Sequence, residues 1–215
     1  MPERVRRVIA EIVDLWFPRG CAGCGVHGPS PCEDCLGQLD VTDAFPVPEG
    51  LDSATALLRY DERSRPFLVA LKYRGRRSVA DDFARPLAML MGDVRLGPVP
   101  PVITWAPTTP ARRRRRGFDQ AEVLARRVGR QVRSPVRRTL RRRPGPTQTG
   151  LDRRHRLEAV HFEPIGPAPD VVVVCDDVLT TGATMTAAAI ALRRAGAREV
   201  HGLVLAHTPV GGAIL

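Results

Sequence analysis

The stretch VVVVCDDVLTTGATMTAAAIALRRAGA, residues 171–197, contains the strongest fold signal of the chain. Its first five residues are apolar and mostly β-branched, which predicts a strand buried on both faces, as in a parallel sheet. The alanine-rich run 184–195 predicts a helix, and Gly196 directly after it is a natural C-terminal cap. A strand followed at once by a helix indicates an α/β fold with a parallel sheet.

Two acids and a turn of small residues lie between the predicted strand and the predicted helix. In open α/β sheets, ligands bind at the carboxyl edge, and a helix amino terminus presents backbone N–H groups to phosphate. The neighbouring carboxylates Asp176 and Asp177 are costly to hold side by side unless a ligand uses their acceptors, and the vicinal hydroxyls of a ribose would do so. The stretch therefore predicts a site for a phosphorylated sugar.

Upstream of this stretch, the hydrophobic pattern predicts the rest of an α/β domain and an appendage. Residues 37–53 look like a connector, and the segment 141–156 has no apolar period and is predicted to be a mobile loop. The predicted elements are an amphipathic helix at 3–17, a strand at 54–60, helices at 62–71 and 79–91, a strand in VITWAP from residue 102, a basic loop after it, and a helix at 119–132.

Four of the five cysteines form two Cys-x-x-Cys pairs, Cys21 with Cys24 and Cys32 with Cys35. Doubled pairs of this kind form two knuckles whose thiolates meet at one tetrahedral zinc ion. Disulfides are the alternative, but we read no export signal at the N-terminus, and disulfides are rare in a reducing, cytoplasmic compartment. Four thiolates leave no position for water, so the predicted zinc is structural. Cys175, in an apolar run, is interpreted as a core residue.

The positive charge is concentrated in one part of the chain. The sequence has 33 basic and 23 acidic residues, yet residues 112–156 alone hold 17 arginines and three acids. Such a block predicts a polyanionic partner such as phosphate, pyrophosphate or nucleic acid. The alternative is a genome whose codons favour arginine, since Lys72 is the only lysine. No apolar stretch approaches the roughly 18 residues of a membrane span, so we expect none.

The apolar run, the two acids and TTGAT together resemble the motif that binds 5-phosphoribosyl 1-pyrophosphate (PRPP) in type I phosphoribosyltransferases, and the match covers the whole motif. The resemblance implies that Asp176 and Asp177 are the catalytic acid pair facing the ribose hydroxyls, with Mg²⁺ bridging those hydroxyls and pyrophosphate. It implies that the 5′-phosphate is wrapped by the turn residues Thr180, Thr181, Gly182, Ala183 and Thr184.

The order of motifs over residues 15–207 is similar to that of the ComF family of competence-associated, phosphoribosyltransferase-like proteins. It runs from the four-cysteine module through LKYRG, RGFDQ and a basic Gln-containing loop to DDVLTTGAT. Two departures are Asp119, where the family usually has Asn, and a short segment before His161 and Phe162 that lacks the expected Asn. The resemblance implies an N-terminal helix and zinc module at 1–50, a phosphoribosyltransferase-like domain at 51–215, and a role in DNA uptake during natural transformation.

In type I enzymes the loop after the first core strand contacts pyrophosphate, and VITWAPTTPARRRRRGFDQ holds that position here. The resemblance implies that Arg116, Gly117 and Gln120 bind pyrophosphate. Lys72 in LKYRG offers a compact point charge for a phosphate. The resemblance also implies that a flexible loop closes over the ligand with Arg153, Arg154 and Arg156.

Three classes of function follow from these observations. The first is a phosphoribosyltransferase that binds PRPP and Mg²⁺. The second is a competence factor that binds single-stranded DNA or the DNA-uptake machinery and uses the fold as a scaffold without turnover, because five consecutive arginines exceed what one pyrophosphate needs. The third is a regulator that senses PRPP without turning it over.

Overall fold

The computed structural model describes residues 20–72, 79–92, 100–143 and 160–209. The predicted helix at 3–17, the predicted flexible-loop arginines and the residues after Pro209 lie outside this part of the chain. Within the described ranges the elements are α1 (Glu33–Leu36), β1 (Ser53–Arg59), α2 (Arg65–Leu71), α3 (Val79–Met89), β2 (Val102–Trp105), α4 (Pro110–Arg116), α5 (Gln120–Val132), β3 (Leu140–Arg143), β4 (His161–Pro164), β5 (Val171–Leu179), α6 (Ala183–Arg194) and β6 (Glu199–His207).

A four-stranded parallel sheet forms the centre of the fold, in the order β1-β6-β5-β2. The predicted α/β class and parallel sheet are thereby confirmed. β5 pairs with β6 on one side and β2 on the other, so its two edges are both occupied. Both of its faces are also buried, since Val173 and Cys175 belong to one core cluster and Val172 and Val174 to the other, which explains why its sequence is a continuous apolar run rather than an alternating one.

Helices cover both faces of the sheet. One core cluster joins α2, α3 and α5 to the sheet through large buried side chains such as Phe67, Phe83 and Leu124, and it includes the predicted core residue Cys175. The second cluster lies under α6 and the antiparallel β3–β4 hairpin, with Leu140 and Met185 fully buried. The apolar area buried in these two layers is the main force that holds the sheet in place.

The predicted basic loop after β2 is wrong in part, because the arginine run is helical from Pro110 to Arg116. The Thr109 side chain caps the helix by accepting from the backbone N–H of Arg112, and Pro110 provides a preset first-turn φ. Gly117, at φ 75°, ends the helix in the left-handed region. Local capping signals therefore outweigh the repulsion between neighbouring arginines.

Strand β5 is longer than the apolar run predicts. It continues through the two acids to Leu179, because β6 runs beside it and pairs as far as His207. Asp176 and Asp177 are thus strand residues near the carboxyl end, and the turn begins only at Thr180. Helix α6 spans 183–194, close to the predicted 184–195.

The connector ahead of β1 runs across the carboxyl edge of the sheet. Val41 forms a bridge with Leu58, near the end of β1, and Phe45 stacks on His207 at the end of β6. Farther along, Pro48 lies against the position of Gly182 after β5. We call residues 41–50 the strap. Among the described residues, no helix is both long and apolar enough to cross a membrane.

Candidate functional site

The acid pair lies at the carboxyl end of β5. The Asp176 Oδ1 accepts from the backbone N–H of Asp177 at 2.8 Å, and the Asp177 Oδ1 accepts from that of Val178 at 3.1 Å. Burial raises the pKa of Asp176 well above its usual range, and the neighbouring Asp177 carboxylate adds to the effect. Two carboxylates held this close favour a cation or hydroxyl donors between them.

A chain of polar contacts joins the acid pair to the arginine helix. Gln120 Nε2 donates to Asp177 Oδ2 at 3.3 Å, and Arg116 Nη1 donates to Gln120 Oε1 at 2.8 Å. Lys72 Nζ lies 3.8 Å from the same Asp177 oxygen. The structure therefore brings together Lys72, Arg116, Gln120 and Asp177, four residues that the sequence analysis took from three separate motifs.

Asp119 takes a structural role at the start of α5. Its carboxylate accepts from the backbone N–H groups of Ala121, at 3.2 Å, and Thr108, at 2.8 Å. The first contact caps the helix, and the second fixes the chain as it leaves β2. Burial raises the pKa of Asp119 despite these hydrogen bonds. An acid here fills both acceptor roles, which explains how the departure in RGFDQ is accommodated.

The TTGAT turn connects β5 to α6. Gly182 has φ +80°, in the region that favours glycine, and Ala183 N–H donates to Thr181 Oγ1 at 3.4 Å. Thr180, Thr181 and Ala183 are exposed, while Thr184 is half-buried in the first turn of the helix. Backbone N–H groups at a helix amino terminus suit a phosphate, and this turn is separated from the acid pair by Val178 and Leu179 alone.

Arg142 is a site-facing residue that the sequence analysis missed. It extends from β3 with its guanidinium 5.6 Å from the Phe162 ring centroid and its Nη1 3.5 Å from the Pro107 carbonyl oxygen. Burial and the charge of Arg112 lower its pKa, whereas Asp176 and Asp119 act in the opposite direction. The available signal was the alternation of side chains along the strand LRRR, because it places Arg142 on the opposite face of the strand from Arg141 and Arg143.

A cleft of about 380 Å³ lies under the strap, next to the carboxyl ends of β1 and β6. The rings of Phe45 and His207 stack there with centroids 4.2 Å apart and an interplanar angle of 16°. Burial lowers the pKa of His207, which favours the neutral imidazole. Arg59 and Asp43 add one charge of each sign to the lining. Such a partly aromatic cleft suits a planar ligand.

The four predicted metal ligands meet at one point. The sulfur atoms of Cys21, Cys24, Cys32 and Cys35 all lie within 4.8 Å of one another, and those of Cys24 and Cys32 are 3.5 Å apart. A tetrahedral zinc with bonds of about 2.3 Å requires S···S separations of roughly 3.8 Å. None of the described cysteines forms a disulfide. The cluster fits the sulfur geometry of a closed metal centre.

The thiol chemistry also fits a metal. Burial alone would raise the pKa of Cys21, but backbone N–H groups of Cys24, Cys32 and Gly23 point at its sulfur and lower the pKa to about 6. Burial and the three neighbouring sulfurs raise the pKa of Cys35 to about 12. The cluster thus favours one thiolate and disfavours further ones, because their negative charges repel. A cation bound to all four sulfurs would remove this repulsion.

Comparison with known families gives a match over the second half of the chain. Residues 114–212, which are 99 of the 215, match the family model described as the phosphoribosyl transferase domain. That segment runs from the end of α4 through β6 and includes the acid pair and the TTGAT turn. Residues 114–212 are therefore similar to a phosphoribosyl transferase domain. Among curated proteins, the comparison finds no match.

Solved structures of phosphoribosyltransferases are similar at low identity. A purine phosphoribosyltransferase from Pyrococcus horikoshii Ot3 shares 18% identity at a TM-score of 0.35, over 63% of this chain and 77% of that one. A hypoxanthine phosphoribosyltransferase from Staphylococcus aureus shares 12% identity at a TM-score of 0.38, and the match covers 63% of this chain and 68% of that one. An allosteric regulatory enzyme of purine biosynthesis shares 19% identity at a TM-score of 0.38, and the match covers 64% of this chain and 30% of that one. This chain thus spans under a third of the last protein's length.

Proposed function

We propose that this protein is a ComF-like member of the phosphoribosyltransferases that binds PRPP with Mg²⁺ at the carboxyl edge of its sheet. The observation that supports this most is the convergence on Asp177. A helix amide, Gln120, and a lysine from a separate motif, Lys72, approach this one strand carboxylate, which is separated from a phosphate-suited turn by two residues. We propose two units, residues 1–50 and 51–215, with the first acting as a zinc-stabilised module.

In this proposal the ribose hydroxyls face Asp176 and Asp177, and the 5′-phosphate lies against the turn Thr180–Thr184. The pyrophosphate lies towards α4, where Arg116 and Gly117 end the arginine helix, with Lys72 and Gln120 facing the acid pair. The acids suit Mg²⁺, because two adjacent carboxylates offer the oxygen ligands that a hard cation prefers. When bound, Mg²⁺ neutralises charge on the pyrophosphate.

The reaction that fits this arrangement is phosphoribosyl transfer. A nitrogen of the acceptor attacks the anomeric carbon with inversion, the bond from that carbon to the pyrophosphate oxygen breaks, and its electron pair leaves with pyrophosphate. The attacking nitrogen gives its proton to solvent. The chain's arginines stabilise the departing charge, so catalysis is mainly positioning and electrostatic stabilisation. The cleft under the strap is where we propose that a planar acceptor binds.

Calorimetry with PRPP and Mg²⁺ tests the proposal directly. We expect micromolar binding by the full chain and its loss in Asp177→Asn, which removes the charge and keeps the shape. The matched control is Asp170→Asn, an exposed acid just ahead of β5 whose paired Arg198 lies at the surface. Absence of PRPP binding by the unaltered protein would sink the proposal.

A second candidate, a polyanion-binding scaffold, is favoured by the exposed arginines of α4. Arg112, Arg114 and Arg115 are exposed and form no ion pair within the described residues, while Arg113 lies 3.8 Å from Glu122. For this candidate, single-stranded DNA binds with a steep salt dependence that weakens when those arginines become glutamine and is indifferent to Asp177→Asn. A PRPP sensor, the third candidate, binds PRPP and never releases pyrophosphate.

We further propose that the protein acts in the cytoplasm during DNA uptake in natural transformation, in contact with single-stranded DNA or the uptake machinery. The arginine-rich surface supports a polyanionic partner. Deleting the coding sequence and counting transformants tests the role. Complementation by Asp177→Asn separates a need for PRPP from a scaffold function, because a scaffold restores transformation without PRPP binding.

A further inference from the structure

Arg142 differs from its neighbours on the hairpin. Arg141 and Arg143 are exposed, and Arg143 Nε donates to Glu163 Oε2 across the hairpin at 2.7 Å. Arg142 instead is half-buried, with its guanidinium over the Phe162 ring. Within the described part of the chain, its polar contact in the hydrogen-bond range is the carbonyl oxygen of Pro107, at 3.5 Å. The hairpin therefore presents one arginine inward and two outward.

The position of Pro107 places this guanidinium at the carboxyl edge of the sheet. Pro107 follows β2, whose last residue, Trp105, pairs with Cys175, the residue directly before Asp176. Ala106 N–H then donates to the Cys175 carbonyl at 3.0 Å, which holds the chain of residues 106–107 beside β5. Arg142 thus lies on the β2 side of the acid pair.

In the part of the chain that the structure describes, Arg142 has no direct carboxylate partner, although the more distant charges of Asp176 and Asp119 favour its charged form. Within the described residues no carboxylate forms an ion pair with Arg142, and the charge of Arg112 in α4 disfavours its charged form. A half-buried guanidinium beside a second one is costly unless an anion lies between them. The planar fork of arginine suits phosphate oxygens in particular, since it donates two parallel hydrogen bonds.

We propose that Arg142, together with Arg112, binds the pyrophosphate group of the phosphoribosyl ligand. The identity of the ligand rests on the proposed function, whereas the anion site rests on the hairpin geometry. Arg142 comes to the site from the face of the sheet covered by α6, opposite to the face that carries α5 and Gln120. The pyrophosphate is thereby held from two sides of the sheet edge.

Calorimetry on the full chain with three probes tests this assignment: inorganic pyrophosphate with Mg²⁺, PRPP with Mg²⁺, and ribose 5-phosphate. The variant is Arg142→Met, which keeps an unbranched side chain on Phe162 and removes the charge. Its matched control is Arg141→Met, the exposed neighbour on the same strand. We expect Arg142→Met to weaken pyrophosphate and PRPP binding at least about tenfold, the effect of losing one charged hydrogen-bond pair, with ribose 5-phosphate unchanged.

Each outcome supports or overturns the assignment of Arg142 to the pyrophosphate group. Equal affinities in the two variants overturn the assignment, and so does a parallel loss of ribose 5-phosphate binding, which would show that Arg142 supports the site as a whole. If the unaltered chain binds neither PRPP nor pyrophosphate, the proposed function fails together with this inference. If PRPP binds and Arg142→Met leaves it intact, only this inference fails. Should Arg142→Met lower the melting temperature strongly, Arg142→Lys takes its place: it keeps the charge and removes the fork, and we expect it to weaken pyrophosphate and PRPP binding relative to ribose 5-phosphate, by less than the loss of the charge would.

Discussion

Gln120 Nε2 donates to Asp177 Oδ2 across 3.3 Å, which ties the first turn of α5 to the acid pair of β5. The same side chain accepts from Arg116 Nη1 at 2.8 Å, so one amide orients a cation and an anion at once. An amide is suited to this task because it has both donor and acceptor groups, whereas a carboxylate could accept only. The contact explains why glutamine, and not an acid, follows Asp119.

Replacing Gln120 with leucine should weaken PRPP and Mg²⁺ binding by about tenfold. A buried hydrogen bond to a charged group contributes roughly 1.5 to 3 kcal/mol, part of which is recovered by water reaching Asp177. Calorimetry measures the affinity. Gln131→Leu, an exposed position on the same helix, is the control and should change it less than twofold. Equal affinities in both variants would show that Gln120 does not orient the site.

Asp176→Asn should stabilise the protein at neutral pH while weakening ligand binding. Because burial raises the pKa of Asp176 in the folded state, the folded protein binds more protons than the unfolded chain between the two pKa values. The free energy of unfolding therefore falls as the pH rises from about 4 through that window. Above the window, the full cost of holding an ionised Asp176 in the folded protein is present. The asparagine variant lacks this penalty.

Thermal unfolding at several pH values measures the effect on stability. At pH 8 we expect Asp176→Asn to melt at a higher temperature than the unaltered chain. The difference should be about 2 to 4 °C for each kcal/mol by which the substitution raises the free energy of unfolding. The difference should shrink towards about pH 3, where Asp176 is largely protonated in both states. Asp170→Asn, at an exposed position, should show no such pH dependence. A constant difference across pH would argue against a raised pKa.

The central sheet and its helices followed from hydrophobic periodicity, because β5 and α6 have strong and unbroken patterns. The helicity of the arginine run escaped prediction, since its cap, Thr109, and its stop, Gly117, act locally while the repetitive charge suggested a loop. The acid pair and the turn after it stand out in the sequence as a strand–turn–helix, and the resemblance implies the roles of the motif residues. Arg142 was not, because its half-buried position depends on pairing with β4, a long-range contact across the segment 144–159. Likewise, residues 41–50 read as a connector, and only packing makes them a strap over the sheet edge.

Gly182→Ala should lower both stability and PRPP affinity. The residue has φ +80°, where a Cβ costs about 1 to 2 kcal/mol, and that Cβ would lie 3.3 Å from Pro48. Gly196→Ala is the matched control, since Gly196 has φ +104° but nothing within 4 Å of its Cβ position. Both variants should melt earlier, and only Gly182→Ala should weaken binding in calorimetry. A parallel loss of affinity in Gly196→Ala would mean that general destabilisation, and not the phosphate turn, is responsible.

The four-cysteine cluster should hold about one zinc ion per chain, and Cys24→Ser should release it. Cys24 is exposed, so its replacement removes a ligand without opening a cavity, whereas Cys21 is buried against the core cluster that contains Phe67. Metal analysis by atomic emission measures the content. Because Cys21 and Cys32 belong to that cluster, metal loss should reach the main core and lower the melting temperature by about 5 °C or more. Cys175→Ala, at the buried thiol of β5, should lose stability through its cavity yet keep the metal. Full zinc content in Cys24→Ser, or loss of zinc without any change in melting temperature, would contradict a structural four-thiolate centre.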